Sequence, residues 1–245
     1  MMVSAESVVL MQPYFFPYIG YYSLIDKADI FVVCDEVQYI RQGWMNRNRI
    51  LNCNTEFSYI CIPVKKAPQK TTIKDIRINQ ELPWKTKFRQ DLMRYSNHGH
   101  YYKEVMEVME DCLAYETDSL TDFHVHSIKQ VMAYVGIEGH VEILSNMNLK
   151  LPEIQSADEW GLYVTIALGG KTYYNPPGGM NFYNPEKYAA HGVEILFVIN
   201  KLAPYKQGLD HFVAGMSMID AMMFLSPSEI REQVKNYEVQ SICLS

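Results

Sequence analysis

The sequence predicts an α/β fold with a mostly parallel sheet and helices on both faces, and three observations carry that prediction. Short apolar runs alternate with amphipathic, helix-length segments along most of the chain. The first two runs, Val8 to Met11 and Ile30 to Cys34, are joined by one short helix-patterned stretch. Consecutive helical patterns over approximately 83–136 then interrupt the alternation as a helical insertion or subdomain. All 245 residues, 1–245, are read as a single domain around one core.

The opening stretch justifies the parallel sheet. Val8 to Met11 is β-branched and apolar, and Gln12 and Pro13 stop it. Gly20 to Lys27 places Tyr21, Leu24, Ile25 and then Ala28 at helical spacing, and Ile30 to Cys34 is again continuously apolar. Two buried strands joined by a crossover helix lie parallel with a right-handed connection. The expected arrangement is therefore Rossmann-like, and ligands in such sheets bind beyond the carboxyl ends of the strands. Gln12 to Tyr18 and Asp35 to Tyr39 follow those two ends and are expected to meet at one rim. There Gln12, Asp35 and Gln38 supply hydrogen-bonding groups, and Tyr14, Phe15, Phe16 and Tyr18 supply flat surfaces; the competing reading is that Phe15 and Phe16 only pack.

Further along, Gln38 to Asn54 lacks clear periodicity and reads as a long loop rich in Asn, Gln and Arg, of a length often tied to function. Phe57 to Val64 and Ile73 to Ile78 read as strands that pair as a hairpin. Pro83 opens a helix to about Tyr95. Tyr102 to Ala114 and Asp118 to Val135 follow as helices, the latter stopped by Gly136. Glu142 to Ser145, Thr172 to Asn175 and Val193 to Val198 are strands. Helices lie at Ser156 to Gly169, opened by a capping box at Ser156 and Glu159, and near Pro185 to His191. Asn175-Pro176-Pro177-Gly178-Gly179 follows a strand, so Asn175, Gly178 and Gly179 are candidate ligand contacts through close backbone approach, or a plain turn. Met216 to Leu225 is apolar except at Ser217 and Asp220, so Asp220 is expected to be paired or near a site.

Composition narrows the class. Apolar residues make up 48% and charged residues 20%, which argues against disorder. No run is long and apolar enough to span a membrane and no leader pattern opens the chain, so a cytoplasmic location is expected. The five cysteines (Cys34, Cys53, Cys61, Cys112, Cys243) show no zinc or redox spacing and read as small hydrophobes. His124 and His126, two apart on a helix, are poor metal partners, so no metal is expected; His98 and His100 are weak acid/base candidates. Net charge is −6, yet Val37 to Lys74 holds seven basic residues against Glu56 alone, a +6 segment that leaves −12 elsewhere. Such an island suits a local anionic ligand and not nucleic acid, which the remainder would repel. Arg47 and Arg49 are the expected phosphate grips, with Asn46 and Asn48 adding neutral hydrogen bonds to sugar or base. A solvated basic face is the competing reading.

Three blocks, Gln12-Pro13-Tyr14-Phe15-Phe16-Pro17-Tyr18-Ile19-Gly20-Tyr21, Asp35-Glu36-Val37-Gln38-Tyr39 and Trp44-Met45-Asn46-Arg47-Asn48-Arg49, resemble the WbqC-like family. Matches continue at Pro63-Val64, Trp84, Asn175 to Gly179 and Ser217 to Phe224, so the resemblance spans nearly the whole chain. It implies lipopolysaccharide and O-antigen synthesis, with transfer of an acyl or aminoacyl group to a nucleotide-linked or lipid-linked amino sugar. For that chemistry Asp35 is the preferred general base, beside Gln12 and Tyr21, and Tyr14, Phe15, Tyr18, Gln38 and Tyr39 line the substrate. No nucleophile elbow is present, so direct transfer from an activated donor is expected; ATP or an activated acyl donor stays open as cofactor.

A second class also stays open. Tyr18-Ile19-Gly20-Tyr21 after a first strand is similar to the HxGH signature of nucleotidyltransferases, with tyrosine at both histidine positions, and Ser226-Pro227-Ser228-Glu229 is similar to their late serine motif or is simply a capping box. A third class, non-catalytic binding of a nucleotide sugar or a partner, would use the same rim. The oligomeric state is not readable.

Overall fold

The computed structural model describes residues 5–52 and 54–241. Its centre is a six-stranded sheet in the order β5-β2-β1-β6-β7-β8. The strands are β1 (Ser7–Met11), β2 (Ile30–Val33), β5 (Val141–Ile143), β6 (Thr172–Asn175), β7 (Glu194–Asn200) and β8 (Tyr237–Ser241). The first five run parallel, and β8 closes the edge antiparallel to β7. The helices are α1 (Ile19–Lys27), α2 (Trp84–Leu92), α3 (Tyr102–Ala114), α4 (Leu120–Val135), α5 (Glu159–Ala167), α6 (Pro185–Ala190), α7 (Met218–Phe224) and α8 (Pro227–Lys235). The expected β-α-β opening is present, with Val8 opposite Ile30 and Met11 opposite Val33.

Why these strands lack polar alternation is visible in their two faces. Val9, Phe31, Val33, Tyr174 and Val198 face one core with residues of α1, α4 and α8. Val8, Leu10, Ile30, Val32, Tyr173 and Phe197 face the other with Leu162, Val164 and Tyr188 of α5 and α6. A strand covered on both sides is apolar at every position. The sheet thus divides what the sequence suggested as one core into two. Helices α2, α3 and α4 add Phe88, Met109, Phe123 and Ile128 to the first core. The stop read from sequence operates at α4, where Gly136 closes in the left-handed region, φ +75°; the helix start is capped by Ser119, which accepts from the Asp122 N–H. Among the described residues no helix is long and apolar enough to cross a membrane.

Three expectations are corrected. The stretch 38–54 is not loop throughout: β3 (Arg47–Asn52) pairs antiparallel with β4 (Glu56–Cys61), a separate two-stranded sheet. Its alternation was hidden because one of its inward positions is Asn48, a polar residue buried by hydrogen bonding rather than by hydrophobicity. The hairpin expected between 57–64 and 73–78 is replaced by this more local pairing; Ile73–Asp75 is a 3₁₀ turn, and Val64 and Ile78 share only one bridge. The capping box at Ser156 is not reciprocal: Glu159 reaches back to the N–H groups of Gln155 and Ser156, while Ser156 Oγ donates to Asp158.

One buried histidine ties α4 to the segment before β3. His124 donates from Nε2 to the Met45 carbonyl at 2.5 Å and is buried between aromatic rings, so desolvation lowers its pKa to about 4. Its neighbour His126 stacks on Tyr115 instead, 4.2 Å between centroids. Because the unfolded chain protonates His124 first as pH falls below its ordinary value, stability declines from about pH 6.5 towards pH 4, by up to about 3 kcal/mol. Urea unfolding of the wild type and His124→Gln across that range is expected to show a flatter pH slope for the variant. Equal slopes would show that His124 does not titrate with unfolding.

Candidate functional site

The candidate site is the rim beyond the carboxyl ends of β1, β2 and β6, where the strand order reverses between β1 and β6. The aromatic turn after β1 builds its wall. Phe16 adopts φ +44°, a left-handed conformation that costs a bulky residue of the order of 1–3 kcal/mol. Asn48 holds it there, with Nδ2 donating to the carbonyls of Phe15 (3.0 Å) and Phe16 (2.6 Å) and Oδ1 accepting from the Arg49 N–H. Asn48 is therefore a buried clamp on the turn. Phe15 is likewise fully buried, packed on Phe16, Phe88 and Phe123, so of the two readings of these rings packing is the one the structure displays.

Most of the other proposed residues are buried. Tyr21 is fully enclosed, its hydroxyl donating to the Gln12 carbonyl at 3.1 Å, and burial pushes its pKa far up. Asp35 is also buried: Oδ1 accepts from the Ser145 N–H at 3.1 Å and Oδ2 from the Ser145 hydroxyl at 2.7 Å, which joins the ends of β2 and β5. Desolvation raises its pKa. Its carboxylate does not share the cleft that Gln12 and Gln38 line. Tyr39 is buried as well. Asn175, the last residue of β6, donates from Nδ2 to the hydroxyls of Tyr173 (2.8 Å) and Tyr183 (2.9 Å). A side chain at Gly179 would meet the Asn175 amide at 2.8 Å, whereas Gly178 has open space. That pair belongs to a 3₁₀ turn, Pro177–Gly179.

Tyr14, Tyr18, Arg47 and Arg49 do come together. Tyr14 lies 6.1 Å from Tyr18 and 5.8 Å from Trp44 between ring centroids. Arg47 and Arg49, two apart on β3, project on one face: the Arg47 guanidinium sits 4.5 Å over Tyr59, and that of Arg49 lies 5.2 Å from Phe57 and 5.5 Å from Trp44. Neither has a carboxylate partner among the described residues. Nε of each, and Oδ1 of Asn46, are buried without a hydrogen-bond partner there. Sequence reasoning missed Tyr59 and Phe57 as partners, because the pairing that brings them under the arginines was assigned elsewhere.

Two cavities flank this rim. One, of about 230 Å³, is lined by Tyr18 to Gly20, Pro177, Asn200, Tyr205, Gly215 and Ser217. Arg49 borders it, since a side chain on Gly215 would strike the Arg49 guanidinium. The other, of about 470 Å³, lies on the α5 face and includes Gln12, Gln38, Trp160, Tyr173, Phe182 and Tyr183. Asp220, anticipated to be paired, accepts from Tyr95 (2.7 Å), Tyr205 (2.8 Å) and Gln207 (2.7 Å) and so holds the segment over the smaller cavity. The Ser226 motif is a reciprocal capping box with Glu229 at the start of α8. Cys34 and Cys112 are buried free thiols and Cys61 an exposed one; Cys53 and Cys243 lie outside the described residues.

The family model for the WbqC-like protein family matches residues 12–232, from the aromatic turn through α8. The chain belongs to the WbqC-like family. A Mycobacterium tuberculosis protein described as "Uncharacterized protein Rv1507c" is 26% identical over 133 residues, which cover 54% of this chain and 57% of that protein. The chain thus spans little more than half the length of that relative. No solved structure matches.

The WbqC-like turn generates its own test. Asn48→Ala would leave two buried carbonyls unpaired and release the strained turn, an expected loss of about 2–4 kcal/mol in urea unfolding. Stability within about 0.5 kcal/mol of wild type would show that the turn holds without the clamp.

Proposed function

We propose that this WbqC-like protein is a transferase of bacterial surface-polysaccharide synthesis, attaching an acyl or aminoacyl group to a nucleotide-linked or lipid-linked amino sugar. The observation that carries the reading is the arginine pair. Two guanidiniums lie over aromatic rings, without acidic partners among the described residues, and with Nε atoms unpaired. Stacking fixes the plane of a guanidinium and leaves its edge donors for a planar or tetrahedral anion. A diphosphate matches that donor set, and exposed Trp44 and Tyr59 offer faces for a base.

The basic island resolves in the same direction. Lys74 is paired with Glu36 at 3.0 Å, and Arg41 donates to the Ala67 carbonyl at 2.6 Å. Arg47 and Arg49 remain as the half-buried cations beside the rim. Asp35 takes a positioning role in this reading, because it is buried, is bound by Ser145 and does not line the cleft of Gln12 and Gln38.

A second reading, nucleotidyl transfer, is favoured by one feature. The N-terminus of α1 has no side-chain cap, and Tyr18, Ile19 and Gly20 line the smaller cavity directly after the first strand. Uncapped helix N-termini favour phosphate. Tyr18 and Tyr21 would bring no positive charge to the reacting phosphoryl group, which weakens that chemistry.

Calorimetry against a panel of UDP-, dTDP- and GDP-linked amino sugars separates these outcomes. Arg47→Ala and Arg49→Ala are each expected to weaken binding by roughly 1.5–3 kcal/mol, one to two decades, and Lys70→Ala far less. Unchanged affinity in both arginine variants would remove the phosphate grip. Pyrophosphate release from a nucleoside triphosphate would turn the assignment to nucleotidyl transfer.

A further inference from the structure

The larger cavity differs from the arginine patch in having no charge. None of its lining residues is ionised near neutral pH: they are aliphatic, aromatic, Gly161, two glutamines and Cys34, whose thiol burial pushes up to about 12. Of the charges beside the lining in sequence, Asp35 binds Ser145, Glu36 pairs with Lys74, Arg41 donates to the Ala67 carbonyl, and Asp158 and Glu159 at the start of α5 are both bound by Lys187 at 3.0 and 2.8 Å and leave that helix end net negative. A phosphate meets no cation among the lining residues. The size, about 470 Å³, falls within the roughly 300–1,000 Å³ of small-ligand sites.

Its polar groups are of one kind. The Gln12 side chain is exposed at the mouth, and Gln38 spends only its Nε2 donor, on the Gln69 carbonyl at 2.8 Å, which leaves the Oε1 acceptor. The Tyr173 and Tyr183 hydroxyls are oriented by Asn175. Aromatic surfaces accompany them, including Trp160 and the exposed ring of Phe182. Amides that both donate and accept, set beside flat rings with no ion present, match a hydroxylated ring that carries C–H faces and neutral O–H or N–H edges. A plain acyl chain would make no use of those amides.

We propose that this cavity between β1, β2 and α5 is the seat of the neutral sugar ring of the acceptor, with Gln12 and Gln38 as specificity-determining residues and Phe182 as a stacking face. The assignment rests on the reading of the protein as an amino-sugar transferase and adds where the sugar, as opposed to its phosphates, is held.

The test uses saturation-transfer NMR on the full chain with methyl glycosides of N-acetylglucosamine, N-acetylgalactosamine and 4-amino-4,6-dideoxyglucose, with butyramide and UDP as separate probes. At least one glycoside is expected to bind, with ring protons saturated most strongly. Its affinity is expected to fall about tenfold in Gln12→Ala and in Phe182→Ala, with thermal midpoints monitored to confirm folding. Absence of binding across the three glycosides, equal binding of butyramide, or glycoside affinity unchanged in both variants would each overturn the assignment. UDP alone reports on the arginines and the glycosides alone on this cavity. Failure of UDP with a glycoside retained removes the nucleotide-linked acceptor and leaves the sugar seat standing; the reverse sinks the sugar seat only.

Discussion

The rim of this molecule depends on a single buried amide. Asn48 donates to two consecutive carbonyls of the aromatic turn and holds Phe16 in a backbone conformation that a bulky residue otherwise avoids. Backbone bonds extend the joint: the Ser217 N–H donates to the Arg49 carbonyl and the Met218 N–H to the Pro17 carbonyl, each at 2.9 Å. The start of α7 thus grips both the hairpin and the turn. With that joint in place Phe15 and Phe16 face inward, while Tyr14 and Tyr18 stay half-exposed. One clamp therefore helps decide which aromatics of the five-residue run Tyr14 to Tyr18 are core and which are half-exposed.

What was legible in the sequence follows from which forces leave a periodic trace. Apolar runs buried on both faces announced the parallel sheet, and Gly136 and the Ser226–Glu229 pair marked helix ends. Strand β3 left no such trace. One of its inward positions is filled by Asn48, whose burial is compensated by three hydrogen bonds rather than by apolar surface, so the alternation rule reads it as loop. The misassigned hairpin has the same origin: once β3 is unseen, β4 has no local partner and a more distant one must be supplied.

Site residues were legible by place more than by orientation. Gln12, Asp35 and Gln38 all follow strand ends, as the crossover rule requires. The direction of each side chain, however, is set by contacts far away in sequence. Asp35 turns to Ser145, 110 positions on, and Tyr21 turns to the Gln12 carbonyl. No local pattern encodes those choices. The arginines were found through charge density, which needs no orientation, whereas Tyr59 and Phe57 beneath them required the pairing of β3 with β4.

The two proposed binding surfaces are built by opposite electrostatic means. At the hairpin, guanidiniums lie over aromatic rings, which attract them without neutralising them; a carboxylate partner would cancel the field that attracts an anion. On the α5 face, acids and Lys187 bind one another at the helix start, and the cavity beside them keeps only amides, hydroxyls and rings. A ligand with an anionic end and a neutral polar end would be oriented by that contrast alone. Reversed, it would lose the guanidinium contacts and set its phosphates beside a net-negative helix start. In the proposed reading, the direction of binding would follow from where charge has been left unpaired and where it has been removed.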